Sequence, residues 1–311
     1  MTELPHGIRR LTFALPLGIR HVHCYLLPGA DGWTLVDTGL GLPDAESRWE
    51  PVLADLGAPV ARIVVTHFHP DHAGGGEDAR ALTGARVLQG AADYEQCERV
   101  WGRADWSERL ADYLRAHGLP GRLAEELRHE AHTLAPLIRF ARQPERLREG
   151  DEIDGWRVLE LPGHADGHLC LLRDGVLVAG DHILGEITPT VGLYPDSRPD
   201  PLGDYLASLR RTIELAPRVA LPGHGDAILD PVGRARQIVE HHRVRLDEAA
   251  SALAATPRTG HEVSVSLFGD ELDASGRRFA VAETLAHLER LVREGRAARA
   301  EDDGTVTYTA A

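Results

Sequence analysis

The sequence predicts an α+β protein in which two β-rich segments flank one block of helices and a smaller segment follows. Short apolar runs between turn residues dominate residues 8–65 and 156–221, which is typical of strands. Leucines at helical spacing dominate residues 91–141 instead. At 311 residues the chain exceeds the common size of one domain, so a large domain with a smaller one is expected.

The first β-rich segment is predicted to form a βββαβ unit. Residues 42–56 have helical spacing, and Pro43 and Asp44 suit a first helical turn. The apolar runs predict strands at residues 8–15, 22–27, 33–36 and 63–65.

Residues 91–141 are interpreted as a helical insertion with one apolar face. Its leucines are Leu110, Leu114, Leu119, Leu123, Leu127, Leu134 and Leu137. We expect the insertion to form a lid over the functional site, and a local helical core or a dimer interface is the alternative.

Strand signals return after the insertion, and a helical tail follows. Strands are predicted at residues 156–161, 169–172, 176–179 and 219–221, and helices at 204–215, 230–253 and 280–294. Two short strands around Asp302-Asp303-Gly304 close the chain. This order is that of a winged helix, so we predict a large domain at residues 1–230 and a linker helix with a winged-helix-like domain at 231–311.

A cluster of possible metal ligands directly follows the strand at residues 63–65. The segment His67-Phe68-His69-Pro70-Asp71-His72 holds three imidazoles and one carboxylate within six positions. These groups suit zinc and neighbouring divalent metals, and a loop leaving a strand can direct several side chains into one pocket. The segment therefore predicts a metal site.

Three later segments place one further candidate ligand each just past an apolar strand. His164 follows Leu161-Pro162-Gly163, Asp181 follows Val178-Ala179-Gly180, and His224 follows Leu221-Pro222-Gly223. Residues at the ends of several strands meet at one edge of a sheet, where Gly and Pro allow sharp turns. We expect all seven side chains to lie together there.

At these residues the chain resembles the metallo-β-lactamase superfamily, whose motif H-x-H-x-D-H, later His, bridging Asp and final His match position by position. The resemblance covers roughly residues 8–230 and implies an αββα sandwich with the site at one edge. Residues 161–168 look most like the glyoxalase II branch, and the tail resembles hydrolases that include acyl-carrier thioesterases and an endoribonuclease. The implied ligands are His67, His69 and His164 for one metal, Asp71, His72 and His224 for the second, and Asp181 between both.

The resemblance implies a dinuclear hydrolase in which a metal-bridging hydroxide attacks the substrate and Asp71 orients the water. Zinc is the expected metal, and iron and manganese accept the same ligands. The leading hypothesis is cleavage of an ester or thioester in a small or carrier-bound acyl substrate. A metal-dependent endoribonuclease, a persulfide dioxygenase with one iron, and finally a non-catalytic binding module are the alternatives.

The charge of the chain argues against nucleic acid and membranes as partners. The formal net charge is −14, and residues 240–311 hold 9 Arg against 13 Asp plus Glu. We expect this tail to pack against the body or against a partner subunit in a homo-oligomer. The three cysteines form no C-x-x-C pair and no stretch has the length of a membrane span, so a cytoplasmic protein is expected.

Several other residues are interpreted from their positions. His168 is expected to support the metal ligands through hydrogen bonds rather than to bind metal itself. Asp37 either supports the ligands in the same way or only stabilises a turn. Tyr194 either lines the pocket mouth or packs locally. The remaining histidines considered are interpreted as surface or helix-face residues: His21, His23, His117, His129, His132, His241, His242, His261 and His287.

Overall fold

Two β-sheets share an apolar interior in the computed structural model, which describes residues 1–16, 18–253 and 256–311. The first sheet contains, in order, β1 (Thr2–Glu3), β2 (Arg9–Ala14), β3 (His21–Gly29), β4 (Gly32–Val36), β5 (Val60–Val65), β6 (Arg86–Gly90) and β7 (Glu145–Leu147). The second contains β8 (Glu152–Ile153), β9 (Trp156–Glu160), β10 (Leu169–Arg173), β11 (Val176–Gly180) and β12 (Val219–Pro222).

Helices cover the outer faces of both sheets. The α-helices of the described residues are α1 (Ala45–Ala54), α2 (Pro70–Ala73), α3 (Gly76–Thr83), α4 (Ala91–Val100), α5 (Trp106–Ala116), α6 (Gly121–Leu134), α7 (Pro201–Leu215), α8 (Pro231–Ala252), α9 (Gly260–Phe268) and α10 (Ala274–Arg293). Successive strand residues alternate between the two cores: Val64 packs between the sheets, whereas Ile63 and Val65 pack on the side of α1 and α3. The predicted α+β sandwich is therefore present.

Strand pairing changes direction within each sheet where a helix connects neighbouring strands. β1 to β4 pair antiparallel, whereas β4 to β7 pair parallel. In the second sheet only the β11–β12 pair is parallel among the described strands, and α7 connects its two members. Parallel strands end at the same edge of a sheet, so this pairing brings the ends of β5, β11 and β12 to the edge where the candidate site is expected.

The helical insertion lies between β6 and β7 and contains α4, α5 and α6. Its apolar stripe is covered by the C-terminal helices and strands: Leu114 and Leu127 are buried in one core with Val263 and Leu288. Leu134 lies at the other end of the insertion and packs beside the loop that follows β4. A role as a lid stays a prediction.

The C-terminal part follows the predicted order of helix, helix and hairpin. After α10, β14 (Ala297–Asp302) and β15 (Thr305–Ala310) pair antiparallel, and β13 (Arg258–Thr259) adds a third strand before α9. α8 packs on both α7 and α10. The winged-helix class and the boundary at residue 230 remain predictions. Among the described residues, no helix combines the length and the apolar character that crossing a membrane requires.

Candidate metal centre

The seven predicted ligands meet at one edge of the two sheets. The loop from His67 to His72 leaves β5, Asp181 follows β11, and His224 follows β12. His164 lies in the turn between β9 and β10. Because β11 and β12 run parallel, their ends bring Asp181 and His224 to within 3.2 Å, from Oδ2 to Nε2.

The first ligand group consists of His67, His69 and His164. One nitrogen of each lies within 4.8 Å of the others. His67 Nε2 is 3.1 Å from His69 Nδ1, and the rings of His69 and His164 stand edge to face with centroids 4.5 Å apart. Three imidazoles arranged in this way provide neutral nitrogen ligands around one point.

The second ligand group consists of Asp71, His72 and His224. His224 Nε2 is 3.3 Å from Asp71 Oδ2 and 3.4 Å from His72 Nε2. Asp181 lies between the groups, with Oδ1 3.4 Å from His72 Nε2 and Oδ2 3.7 Å from His164 Nε2. A single carboxylate thus faces both groups of ligands.

Hydrogen bonds at the outer nitrogens orient three of these imidazoles. His72 Nδ1 donates to Asp37 Oδ2 over 2.8 Å, and His164 Nδ1 donates to the Thr190 carbonyl over 2.8 Å. His224 Nδ1 donates to the carbonyl of His21 over 2.6 Å. A proton held on Nδ1 leaves the lone pair of Nε2 free, so each ring presents a ligand atom to the centre.

Burial and neighbouring charges divide the histidines into two kinds. Burial lowers the pKa of His67, His69 and His164, which keeps these rings neutral. Burial alone would also lower the pKa of His224, but Asp181 and Asp71 raise it to about 10.

His72 and the two carboxylates follow the same electrostatic logic. Burial opposes the charge of His72, but Asp181, Asp71 and Asp37 raise its pKa well above the ordinary value. Burial likewise opposes ionisation of Asp181 and Asp71, but His72 and His224 hold the pKa of Asp181 well below the usual range and lower that of Asp71. The carboxylates therefore stay ionised and attract positive charge, in the form of protons or of metal cations.

The geometry and the donor set fit divalent metal ions. His164 Nε2 and Asp181 Oδ1 are buried and make no hydrogen bond within the described part of the chain, although both face the centre. Gly223 keeps space open beside Asp181 Oδ1, because a Cβ there would lie 2.4 Å from that oxygen and 2.6 Å from His72 Cε1. Buried polar atoms without partners are costly, and a metal ion would satisfy both.

Two predicted supporting residues lie at the centre. Asp37 accepts hydrogen bonds from the Thr66 amide and hydroxyl in addition to His72. His168 is buried, accepts from the Asp181 amide over 3.1 Å and stacks on His67. Their influence on metal binding stays a prediction. Tyr194 is half-buried in the loop after β11 and packs against Gly192.

The interpretation of the remaining histidines as surface or helix-face residues is wrong for His23 and for His117, which follows α5 and is buried. His23 lies on β3, is buried and bonds to Thr12 Oγ1 and the Gly225 carbonyl. His242 and His287 are on helices, as predicted, but they lie on buried faces, where they hydrogen-bond to each other over 3.2 Å. A single His in a helix or strand gives no signal of which face it occupies.

Sequence reasoning missed a buried carboxyl group that supports the ligand loop. Asp93, at the start of α4, accepts a hydrogen bond from the Phe68 amide over 2.9 Å, between His67 and His69. Trp101, directly after the last residue of α4, donates to the Phe68 carbonyl over 2.8 Å. The insertion therefore holds the ligand loop from outside. In the sequence, the only indication of this contact is that the insertion begins at residue 91, a short distance after the loop.

Residues 17–224 match the family described as the metallo-beta-lactamase superfamily, and residues 246–311 match the family described as the metallo-beta-lactamase-like C-terminal domain. The crystal structure of a metallo-beta-lactamase family protein from Thermus thermophilus superposes with a TM-score of 0.84 and 36% identity, and the match covers 99% of both chains.

Two curated proteins are more distant relatives along most of the chain. Bacillus subtilis YqjP, named as a probable metallo-hydrolase, is 28% identical over 90% of each chain. The atrochrysone carboxyl ACP thioesterase of Claviceps purpurea is 23% identical over 79% of this chain and 66% of its own.

Proposed function

The chain belongs to the metallo-β-lactamase superfamily, and from this premise we propose that it is a dinuclear metal-dependent hydrolase of esters or thioesters. The observation that carries the proposal is the convergence of seven ligand-type side chains on a space that Gly223 leaves open. We propose a small or carrier-bound acyl compound as substrate and zinc as the metal.

The proposed ligands form two groups, and the distances between their ligand atoms define these groups. His67, His69 and His164 would hold one ion, Asp71, His72 and His224 the other, and Asp181 would contact both. When bound, two divalent ions supply Lewis acidity and lower the pKa of water from about 15.7 towards neutrality.

The chain's own groups orient the reacting molecules. Asp71 Oδ2 points into the centre beside His224 and is placed to accept a proton from water there. His67, on the other side of the centre, is fully buried, so the protein shields this imidazole from bulk solvent. Hydrolysis therefore needs no Ser or Cys nucleophile.

Two observations support an acyl substrate over a phosphodiester. A net charge of −14 gives the protein little attraction for a phosphate backbone. A relative that aligns with 79% of the chain is named as a thioesterase of an acyl carrier protein. We also propose the cytoplasm as its location, since Cys24, Cys97 and Cys170 are free buried thiols.

The test combines metal analysis with a panel of thioesters, lactones, phosphodiesters and short RNAs. We expect two metal ions per chain and turnover of a thioester or ester, both reduced by His164→Ala. His129→Ala, on an exposed face of α6, is the matched control and should leave both unchanged. RNA cleavage without ester hydrolysis, or oxygen consumption with one iron per chain, would replace the proposal by one of its alternatives.

A further inference from the structure

Residues 184–200 form most of the connection from β11 to α7, contain no helix or strand, and contact the ligand His164 through Thr190. We call this segment the strap. Val191, at its middle, is fully buried in the main apolar core, although an irregular segment usually runs over the surface. The strap is therefore a packed part of the structure.

The strap supplies the hydrogen-bond acceptor of one proposed metal ligand. His164 Nδ1 donates to the Thr190 carbonyl over 2.8 Å. His164 Nε2 points the opposite way, is buried and has no hydrogen-bond partner among the described residues. The position of one backbone carbonyl thus sets the tautomer and the direction of this imidazole.

Helix α8 holds the strap on the side that precedes Thr190. Arg234, in the first turn of α8, donates through Nε to the Leu184 carbonyl over 2.7 Å. Its Nη2 donates to the Ile187 carbonyl over 2.8 Å. A guanidinium has a rigid, planar set of donors, so the two bonds fix both carbonyls relative to the helix.

Helix α10 holds the strap on the side that follows Thr190. The Leu193 amide donates to the Ala282 carbonyl over 2.9 Å, although Ala282 lies within the helix. Gly192 allows this approach, because a Cβ there would lie 2.6 Å from Tyr194 Cε2 and 3.1 Å from Ala282 Cβ.

Two arginines of α10 hold the last residues of the strap. Arg290 pairs with Asp200 over 3.1 Å, and Arg293 donates to the Pro199 carbonyl over 3.1 Å. Together with the bonds of Arg234, these contacts attach both ends and the middle of the strap to helices that follow residue 230.

We infer that helices α8 and α10 position His164 through the strap, and that Arg234 is the positioning residue on the α8 side. This inference rests on the proposed role of His164 as a metal ligand. The anchors lie at Ile187 and Leu193, three residues before and after Thr190, so a shift at either anchor moves the carbonyl that His164 needs. The C-terminal segment is accordingly part of the metal centre's support.

Arg234→Met tests the inference because it keeps most of the apolar stem and removes both hydrogen bonds to the strap. We expect the affinity for one of the two Zn²⁺ ions to fall about tenfold, the lower end of the range for residues behind a metal ligand. The second ion should bind as in the parent. Chelator competition measures both affinities, and the visible spectrum of the Co²⁺-loaded protein should report altered ligand geometry.

Arg258→Met is the matched control. Arg258 also donates to two backbone carbonyls, those of Ala252 and Glu262, and none of its hydrogen bonds within the described part of the chain reaches the strap. Both variants should lose similar stability in the metal-free state, as measured by denaturant unfolding, whereas only Arg234→Met should weaken Zn²⁺. Equal Zn²⁺ affinities in the two variants would overturn the inference.

Gly192→Ala approaches the strap from the α10 side and serves if Arg234→Met fails to fold. The added methyl group would lie 2.6 Å from Tyr194 Cε2 and 3.1 Å from Ala282 Cβ, so the strap must rearrange beside α10, and the same single Zn²⁺ affinity should fall. Unchanged affinity would refute the inference. If His164→Ala in the parent background removes no Zn²⁺, the proposed metal centre itself is wrong, and this outcome is distinct from a failure of Arg234→Met alone.

Discussion

Asp37→Asn should weaken metal binding without disturbing the backbone. Asp37 has a φ of +62°, in the left-handed region that Asn also tolerates well, so the substitution keeps the backbone and changes only the hydrogen bonding and the charge of this side chain. Oδ1 accepts the Thr66 amide over 2.7 Å, and Oδ2 accepts the Thr66 hydroxyl and His72 Nδ1, each over 2.8 Å. All three partners are donors.

An amide cannot accept at both of its positions, so one contact must fail. If its NH₂ group replaces Oδ1, it faces the Thr66 amide. If it replaces Oδ2, it faces His72 Nδ1 and favours the tautomer with the proton on Nε2, which removes the lone pair that faces the centre. Loss of such a partner costs about 10- to 100-fold in metal affinity, which corresponds to about 1.4–2.7 kcal/mol. The metal-free fold should lose about 1.5–3 kcal/mol for one charge-assisted hydrogen bond.

Asp154→Asn provides the matched control for this measurement. Asp154 also has a positive φ, of +50°, and accepts from Thr34 Oγ1 and Arg62 Nη1. It lies in the turn between β8 and β9 and contacts residues within β4 and β5, whereas Asp37 and the ligand loop follow the ends of these strands. Chelator competition and denaturant unfolding of the two variants separate metal binding from stability. Parent-like metal affinity in Asp37→Asn would refute the reasoning about the tautomer of His72.

Three further predictions concern the centre itself. Gly223→Ala should reduce the metal content, because its Cβ would lie 2.4 Å from Asp181 Oδ1, whereas Gly121→Ala should not, because a Cβ there meets nothing within 4 Å. Equal metal content of the two variants by elemental analysis would contradict this prediction. Asp181 and Asp71 raise the pKa of His224 from 6.5 to about 10 despite burial, so Zn²⁺ must displace a proton. Between pH 6.5 and about pH 10 the Zn²⁺ affinity should therefore rise about tenfold per pH unit, and the metal-free fold should lose stability as the pH rises. A Zn²⁺ affinity that does not change with pH would exclude this prediction. Asp181→Asn should abolish turnover because an amide bridges two cations poorly, whereas His168→Ala should lower kcat about ten- to a hundredfold. Equal losses of kcat in the two variants would show that the roles of Asp181 and His168 are misassigned.

Much of the sandwich was predictable because its strands are short, apolar and followed by turns. The strand predicted at residues 22–27 lies within β3 (His21–Gly29), and the helix predicted at 204–215 lies within α7 (Pro201–Leu215). The two-residue strands β1, β8 and β13 escaped prediction. Such short pairs carry too little periodicity to distinguish them from loops.

The sequence by itself determined which side chains meet at the centre, because each candidate ligand directly follows an apolar strand and strand ends share an edge. Only the tertiary structure decided what supports them. The apolar stripe of the insertion is paired with the C-terminal helices, since periodicity shows that a face is buried but does not identify the surface that covers it. The Thr190 carbonyl orients His164, and a backbone acceptor leaves no mark on residue identity. In the sequence, Arg234 resembles any surface arginine. Folding brings the strap carbonyls of Leu184 and Ile187, about fifty residues earlier in the chain, against its guanidinium.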